Sequence, residues 1–159
     1  MTEGVGRGLA YEDLVPGRRM TFPPRTLSRE DIVRFAREWD PQLFHLDESE
    51  ARKTHFGGLV ASGWHTACLS MRIAVDGLLE GSTSMGSPGL EELKWLRPVR
   101  PEDPLTLTIE VLEARPSRSK PDRGSVKLGY VLVNGAGEPV FSMVAWVIFG
   151  RRTPDRPED

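Results

Sequence analysis

A carboxylate and an imidazole stand five positions apart in residues 39–47, which read WDPQLFHLD. Pro41 directly follows Asp40, and a proline disfavours the helical conformation of the residue before it. The chain therefore turns here, and a turn lets the side chains of Asp40 and His45 converge on one water molecule. Histidine gives or takes a proton near neutral pH, and a nearby carboxylate fixes its tautomer or binds the same water. The alternative is a turn-capping carboxylate beside a locally packed histidine, and spacing alone favours that alternative.

A glycine-rich stretch, GGLVASGWHT at residues 57–66, leads into a long apolar run. The apolar run predicts a helix that begins near Ser62 or Gly63. The first N–H groups of a helix have no acceptor within it, and the helix dipole adds partial positive charge there. A carbonyl oxygen that becomes more negative during a reaction is stabilised by such a donor. The structural alternative is equally supported: Gly57, Gly58 and Gly63 simply allow a tight turn and close packing.

Other reactive residue types give weaker signals. His45, His55 and His65 contain no pair at helical i, i+4 spacing, and Cys68 is the only cysteine, so no metal site is predicted. His65 falls in the first turn of the predicted helix, where it either packs or lines a pocket. Ser62 lacks the glycine pattern of a nucleophile elbow, and Cys68 lies in an apolar run where a thiol is usually inert.

The elements that position these residues come in two blocks. The first block is helical: Ser28 is a good N-cap for a helix that ends at Asp40, and Asp47 caps a second short helix. Residues 64–79 form a longer helix whose apolar or small residues cover most of its circumference, which predicts burial on several sides.

The second block alternates apolar and polar residues, which is typical of half-buried strands. Strands are predicted at residues 90–97, 105–111, 125–133 and 139–149, with a short strand at 18–22 and a basic loop at 115–124. Helices followed by antiparallel strands indicate an α+β fold, with the sheet wrapped around the long helix. Residues 1–17 are predicted to be an N-terminal arm, residues 18–150 a single domain, and residues 151–159 a disordered tail.

Composition narrows the function classes. The chain has 159 residues, enough for one domain, and its net charge of -2 favours neither nucleic acid nor a membrane surface as a partner. The N-terminus lacks the pattern of a signal peptide, and no apolar run is long enough to cross a bilayer. The expected location is therefore cytoplasmic.

Residues 35–66, FAREWDPQLFHLDESEARKTHFGGLVASGWHT, resemble the hydratase 2 segment of the MaoC-like acyl dehydratases, which have the hot-dog fold. Residues 93–111, LKWLRPVRPEDPLTLTIEV, resemble a strand region of the same family. The resemblance covers about residues 10–150. The residues that match the family pattern are Asp40, Pro41, His45, Leu46, Asp47, Phe56, Gly57 and Gly63.

The resemblance implies a catalytic site for hydrating a trans-2-enoyl thioester, usually of coenzyme A, or for the reverse dehydration. Asp40 and His45 would hold the water, and the Gly63 N–H would hold the thioester carbonyl oxygen. The residues expected to line the substrate site are Phe56, Gly57, Ser62, Trp64 and His65. No metal or cofactor is implied, coenzyme A being part of the substrate. Related proteins are homodimers joined at their sheet edges, so a homodimer or higher homo-oligomer is expected.

Two departures from the family pattern bear on specificity. Gln42 stands where many members have asparagine, and residues 62–64 read Ser-Gly-Trp where many have His-Gly-Met. Two other functions stay open. A hot-dog thioesterase would use a carboxylate of the central helix, where Asp76 is the only acid, and a non-catalytic acyl-CoA-binding protein would bind ligand without turnover.

Overall fold

The computed structural model describes residues 8–154 and places helices and strands in the two predicted blocks. The helical elements are a 3-10 helix at Tyr11–Asp13, α1 Arg29–Trp39, α2 Leu43–Leu46, α3 Glu48–Arg52 and α4 Gly63–Ala74, with a π-helical extension at Val75–Leu79. The strands are β1 Arg19–Thr21, β2 Gly89–Trp95, β3 Thr106–Pro116, β4 Arg123–Val133 and β5 Pro139–Gly150.

The five strands form one sheet in the order β1-β3-β4-β5-β2, and every neighbouring pair is antiparallel. Buried and less buried residues alternate along β3, β4 and β5, as the sequence pattern predicts. The buried residues of these strands form a continuous apolar core with Leu69, Ile73 and Leu78 of the central helical segment. The α+β prediction is confirmed.

Helix α1 has the predicted boundaries because both of its ends are fixed by specific groups. Ser28 Oγ accepts the Asp31 N–H at 3.0 Å, which pairs one of the free donors of the first turn. Asp40 leaves the helical conformation, with φ of −153°, while its N–H still donates to the Ala36 carbonyl at 2.9 Å. Pro41 then prevents the helix from continuing.

Three predictions about local structure need correction. Residues 43–46 form the short helix α2, where an irregular turn was expected. Pairing of β3 with β4 reaches Pro116 and Gly124, so the basic loop is shorter than residues 115–124. Helix α4 is buried along the side that carries Leu69 and Ile73 but not around most of its circumference. Trp64, Cys68 and Met71 of that helix are exposed.

The described part of the predicted arm packs against the domain. Leu9 and Leu14 are buried in the core, and the hydrophobic contacts of this segment explain why it does not project as an arm. The described part of the predicted tail is also bonded, since Arg152 Nη1 donates to Asp13 Oδ1 at 2.9 Å. The rest of the predicted arm and tail, residues 1–7 and 155–159, lies outside the described residues.

Within residues 8–154, no helix combines the length and the apolar character needed to cross a bilayer.

Candidate active site

Asp40 and His45 meet in space. His45 Nε2 lies 3.2 Å from Asp40 Oδ2, so the two side chains form an acid–base pair. The backbone brings them together: α1 ends at Asp40, and α2 begins two residues later and carries His45. Hydrogen bonds from the Gln42 N–H to the Asp40 carbonyl and from the His45 N–H to the Gln42 carbonyl hold the turn between them.

Both oxygens of the Asp40 carboxylate are held by donors. Ser62 Oγ donates to Oδ2 at 2.7 Å, and Gln42 Nε2 donates to Oδ1 at 2.7 Å. Burial acts to raise the pKa of Asp40, but these two hydrogen bonds and the nearby His45 ring outweigh it and lower the pKa below its ordinary value. The carboxylate is therefore ionised at neutral pH.

The second ring nitrogen of His45 determines what the first can do. His45 is 5% exposed, and its Nδ1 lies 2.7 Å from the Val60 carbonyl oxygen. A carbonyl oxygen only accepts hydrogen bonds, so Nδ1 carries a hydrogen. In the neutral ring, Nε2 is then an acceptor, and because the ionised Asp40 carboxylate also only accepts, the two share a direct hydrogen bond only when the ring is protonated. In the protonated ring Nε2 presents a donor. These are the two forms that an acid–base catalyst alternates between.

The start of helix α4 lies at the same site. No hydrogen bond from the Gly63 N–H is formed among the described residues, as expected for the first residue of a helix. The Gly63 carbonyl oxygen accepts a hydrogen bond from Trp95 Nε1 at 2.7 Å. A Cβ atom at position 63 would lie 2.7 Å from the Trp95 ring, so only glycine fits against this indole.

A cleft of about 390 Å³ connects the acid–base pair to the helix start. Asp40, His45 and Gly63 all line it, which brings together the three residues predicted to be catalytic. The rest of its wall is mostly apolar. The apolar residues are Phe44, Phe56, Val60, Ala61, Trp64, Trp95, Leu96, Pro98 and Val99, and the further polar ones are Gln42, Thr66 and Arg97.

Among the residues predicted to contact substrate, Phe56 and Trp64 line the cleft. Ser62 does not line it but donates a hydrogen bond to Asp40, which does. Gly57 is not part of the cleft wall. It follows Phe56 in the left-handed conformation, with φ of +68°, and so turns the chain.

His65 is separated from the other predicted residues. Its ring stacks on Phe35 with centroids 4.5 Å apart, and it lines a second cavity of about 310 Å³ next to α1. Its Nδ1 is buried and has no hydrogen-bond partner among the described residues. Burial lowers the pKa of His65 below its ordinary value. His65 therefore packs against α1 and lines a separate cavity, not the cleft that holds Asp40 and His45.

Asp76, the carboxylate that a thioesterase would need, lies in the π-helical extension and outside the cleft wall. It forms ion pairs with Arg25 and Arg72 at 3.0 and 2.9 Å. The hydrogen bond from Arg72 lowers its pKa most, and burial only partly opposes this.

Two parts of the site were missed from sequence. Trp95 was assigned only to a strand, and nothing in its spacing marks it as the residue that packs on Gly63. The Val60 carbonyl that orients His45 is a backbone group, so no residue type signals it. Within residues 8–154, no three His, Cys, Asp or Glu side chains cluster closely enough to hold a metal ion.

Comparison with curated proteins gives two relatives. The uncharacterised protein YdeM of Bacillus subtilis is 35% identical over 94 residues, which are 59% of this chain and 67% of YdeM. Protein MaoC of Klebsiella aerogenes is 29% identical over 100 residues, which are 62% of this chain but 29% of that protein.

Solved structures share the fold across nearly the whole chain. A MaoC-like dehydratase from Rhodospirillum rubrum is 41% identical with a TM-score of 0.84, covering 92% of this chain and 99% of that one. The (R)-hydratase PhaJ1 from Pseudomonas aeruginosa is 25% identical with a TM-score of 0.73, covering 96% of each chain. These structures confirm the predicted hot-dog fold. Residues 13–132 match the family described as the MaoC like domain, and the chain therefore belongs to that family.

Proposed function

We propose that this protein is a hydro-lyase that adds water to a trans-2-enoyl thioester, yielding a 3-hydroxyacyl thioester, and that it also catalyses the reverse dehydration. The observation that carries the proposal is that one cleft is lined by the Asp40–His45 pair and by Gly63, whose N–H has no hydrogen-bond partner among residues 8–154. Family membership and the likeness to an (R)-hydratase support the same reaction class.

The reaction requires two proton movements and one site for negative charge. The water oxygen bonds to the β-carbon while the water loses a proton. The π electrons of the double bond move toward the thioester, and the α-carbon takes up a proton. Asp40 and His45 handle these protons together, because His45 Nε2 and Asp40 Oδ2 lie 3.2 Å apart at the same end of the cleft.

The negative charge of the enolate-like transition state collects on the thioester oxygen. In the proposed geometry this oxygen accepts the Gly63 N–H, where the positive end of the α4 dipole also acts. Such a donor typically contributes about 100- to 1000-fold in rate. The reaction involves no net oxidation or reduction, so the proposal needs no cofactor. Coenzyme A, or a carrier protein that presents the same thioester, is part of the substrate.

Self-association is the second part of the proposal. Strand β2 is an edge of the sheet and is exposed along nearly its whole length. Its Trp95 contacts Trp64 of α4, and both indoles are about half exposed. An open strand edge beside exposed apolar side chains is the kind of surface that a second copy covers. We expect light scattering to show a homodimer and a Leu90→Lys variant on β2 to weaken it.

The first test is the loss of enoyl-thioester absorbance with crotonyl-CoA. Wild type is expected to turn over this substrate, and Asp40→Asn is expected to lose at least 100-fold, since general acid–base catalysis contributes about that much or more. Asp122→Asn is the matched control, because this exposed aspartate lies outside the cleft and pairs with Arg123. Full activity in Asp40→Asn would refute the mechanism. Binding of acyl-CoA without turnover by wild type would instead support the non-catalytic alternative.

A further inference from the structure

We infer that the acyl group taken by this cleft is short, about four to six carbon atoms, and that Thr66 sets this limit. The inference rests on the proposed function. It concerns only where the acyl chain ends, a property that the reaction itself leaves open.

The depth of the cleft along α4 is the first argument. Of the described residues of α4, only Gly63, Trp64 and Thr66 line the cleft. From Gly63 to Thr66 a helix rises about 4.5 Å. Carbon–carbon bonds are about 1.5 Å long, so a chain starting at a carbonyl carbon held at Gly63 spans this depth with about three bonds, or somewhat more if it bends.

The packing beyond Thr66 is the second argument. The next two turns of the helix pack in the core: Leu69 and Ile73 are 7% and 3% exposed and belong to the main apolar cluster, and Leu69 also lines the separate cavity next to α1. Ser70 lies one turn beyond Thr66 on the same face and is fully buried. A longer acyl chain would have to displace core side chains, which native packing resists.

The side walls are the third argument. Trp95 is fixed by its hydrogen bond to the Gly63 carbonyl and by an edge contact with Trp64 at 5.0 Å between ring centroids. Phe44 and Phe56 contact each other at 5.1 Å. The cleft volume of about 390 Å³ lies near the lower end of the range for small-molecule sites, and it must also hold the water and the thioester.

Thr66 is the residue at which side-chain size controls depth. It is 2% exposed, and its Oγ1 makes only a long hydrogen bond of 3.4 Å to the Ser62 carbonyl. Thr66 lines the cleft, whereas Ser70, one turn further along α4, does not, so Thr66 is the last residue of α4 in the cleft wall. Removing the branched end of this side chain lengthens the cleft, whereas Thr66→Val removes the hydroxyl group and keeps the volume.

The test measures kcat/KM for a series of trans-2-enoyl-CoA substrates with 4, 6, 8, 10 and 12 carbons. Wild type is expected to prefer 4 to 6 carbons, with kcat/KM at least 100-fold lower at 10 carbons, because added methylenes that do not fit are rejected. An optimum at 8 or more carbons would overturn the inference and leave the proposed function standing. No turnover at any length by folded protein would overturn the proposed function, and the inference with it.

The variants locate the limit. Thr66→Ala is expected to raise the ratio of kcat/KM for the 8-carbon over the 4-carbon substrate by about 10-fold, while Thr66→Val leaves that ratio near wild type. An unchanged ratio in a folded Thr66→Ala protein would overturn the assignment of Thr66. Inhibition constants of butyryl-CoA and decanoyl-CoA give a second measure that does not depend on the chemical step, and tighter decanoyl-CoA inhibition of wild type would contradict the inference.

Discussion

The two histidines near the start of helix α4, His45 on α2 and His65 on α4 itself, differ mainly in the partners of their ring nitrogens. His45 has a carbonyl at Nδ1 and a carboxylate at Nε2. His65 has a phenyl ring against its face and a buried Nδ1 without a partner among the described residues. Burial by itself therefore makes a histidine a poor proton carrier, since it disfavours the charged form. Partners on both nitrogens are what prepare the His45 ring for proton transfer.

The largest expected effect is a loss of hydration activity on replacing His45 that does not occur on replacing His65. His45→Gln should lower hydration by about 100- to 10,000-fold, because it removes the proton-transfer group of the pair. His65→Gln should stay within a few-fold of wild type, because its ring lies outside the cleft. Initial rates with crotonyl-CoA measure both. Similar losses in the two variants would show that the second cavity also serves the reaction.

Gly63→Ala should come next, with a loss of about 100-fold in kcat, as for a displaced oxyanion donor. The new methyl group would lie 2.7 Å from the Trp95 ring, so the helix start and the indole must move apart. Unfolding midpoints measured beside kcat distinguish a local shift from general destabilisation. Unchanged kcat would mean that the Gly63 N–H does not hold the thioester oxygen.

Ser62→Ala should lower activity by about 10-fold, the equivalent of one hydrogen bond to a charged group. The Ser62 hydroxyl helps to lower the pKa of Asp40, so its loss raises that pKa. The ionised carboxylate is then lost at a higher pH as the solution is acidified, and the acidic limb of the rate profile moves upward. Ser70→Ala is the matched control, since Ser70 is also fully buried but its Oγ has no partner among residues 8–154. Identical profiles for the two variants would contradict this role.

The smallest effect is on stability. His65→Leu should raise the free energy of unfolding by about 1 kcal/mol, because it removes a buried unpaired polar atom. The pKa of folded His65 lies below its ordinary value of 6.5, so the unfolded state binds the proton first as pH falls. Protonation of His65 therefore has no effect on the free energy of unfolding above about pH 6.5. Below that pH the free energy of unfolding decreases, because the unfolded state takes up the proton more readily. Denaturation at pH 7.5 and 5.5 tests this, and His65→Leu should reduce the pH dependence. A larger loss of unfolding free energy between pH 7.5 and 5.5 in His65→Leu than in wild type would contradict this role of His65.

The sequence was most informative where backbone chemistry is local. Ser28 and Pro41 mark the ends of α1, and period-two alternation marks β3 to β5. Pro41 showed that the chain turns after Asp40, but spacing alone favoured a capping carboxylate beside a packed histidine, and only the family resemblance predicted that Asp40 and His45 converge. Spacing could not show that His65 turns toward α1 while Thr66 turns toward the cleft, because neighbouring helix positions differ by about 100° and the direction depends on what packs against each face. Nor could it pair Gly63 with Trp95, which meet only through tertiary packing.

That pairing ties the evolution of two distant positions together. Trp95 occupies the space that a side chain at position 63 would need, and its indole N–H bonds the carbonyl of the same residue. A substitution at position 63 becomes sterically acceptable only after the indole has been replaced by something smaller, and that replacement opens the wall of the cleft. In a double-mutant cycle, Gly63→Ala should therefore cost less stability in a Trp95→Ala background than in wild type. Across related sequences the two positions should change together, with glycine retained wherever a large ring faces it.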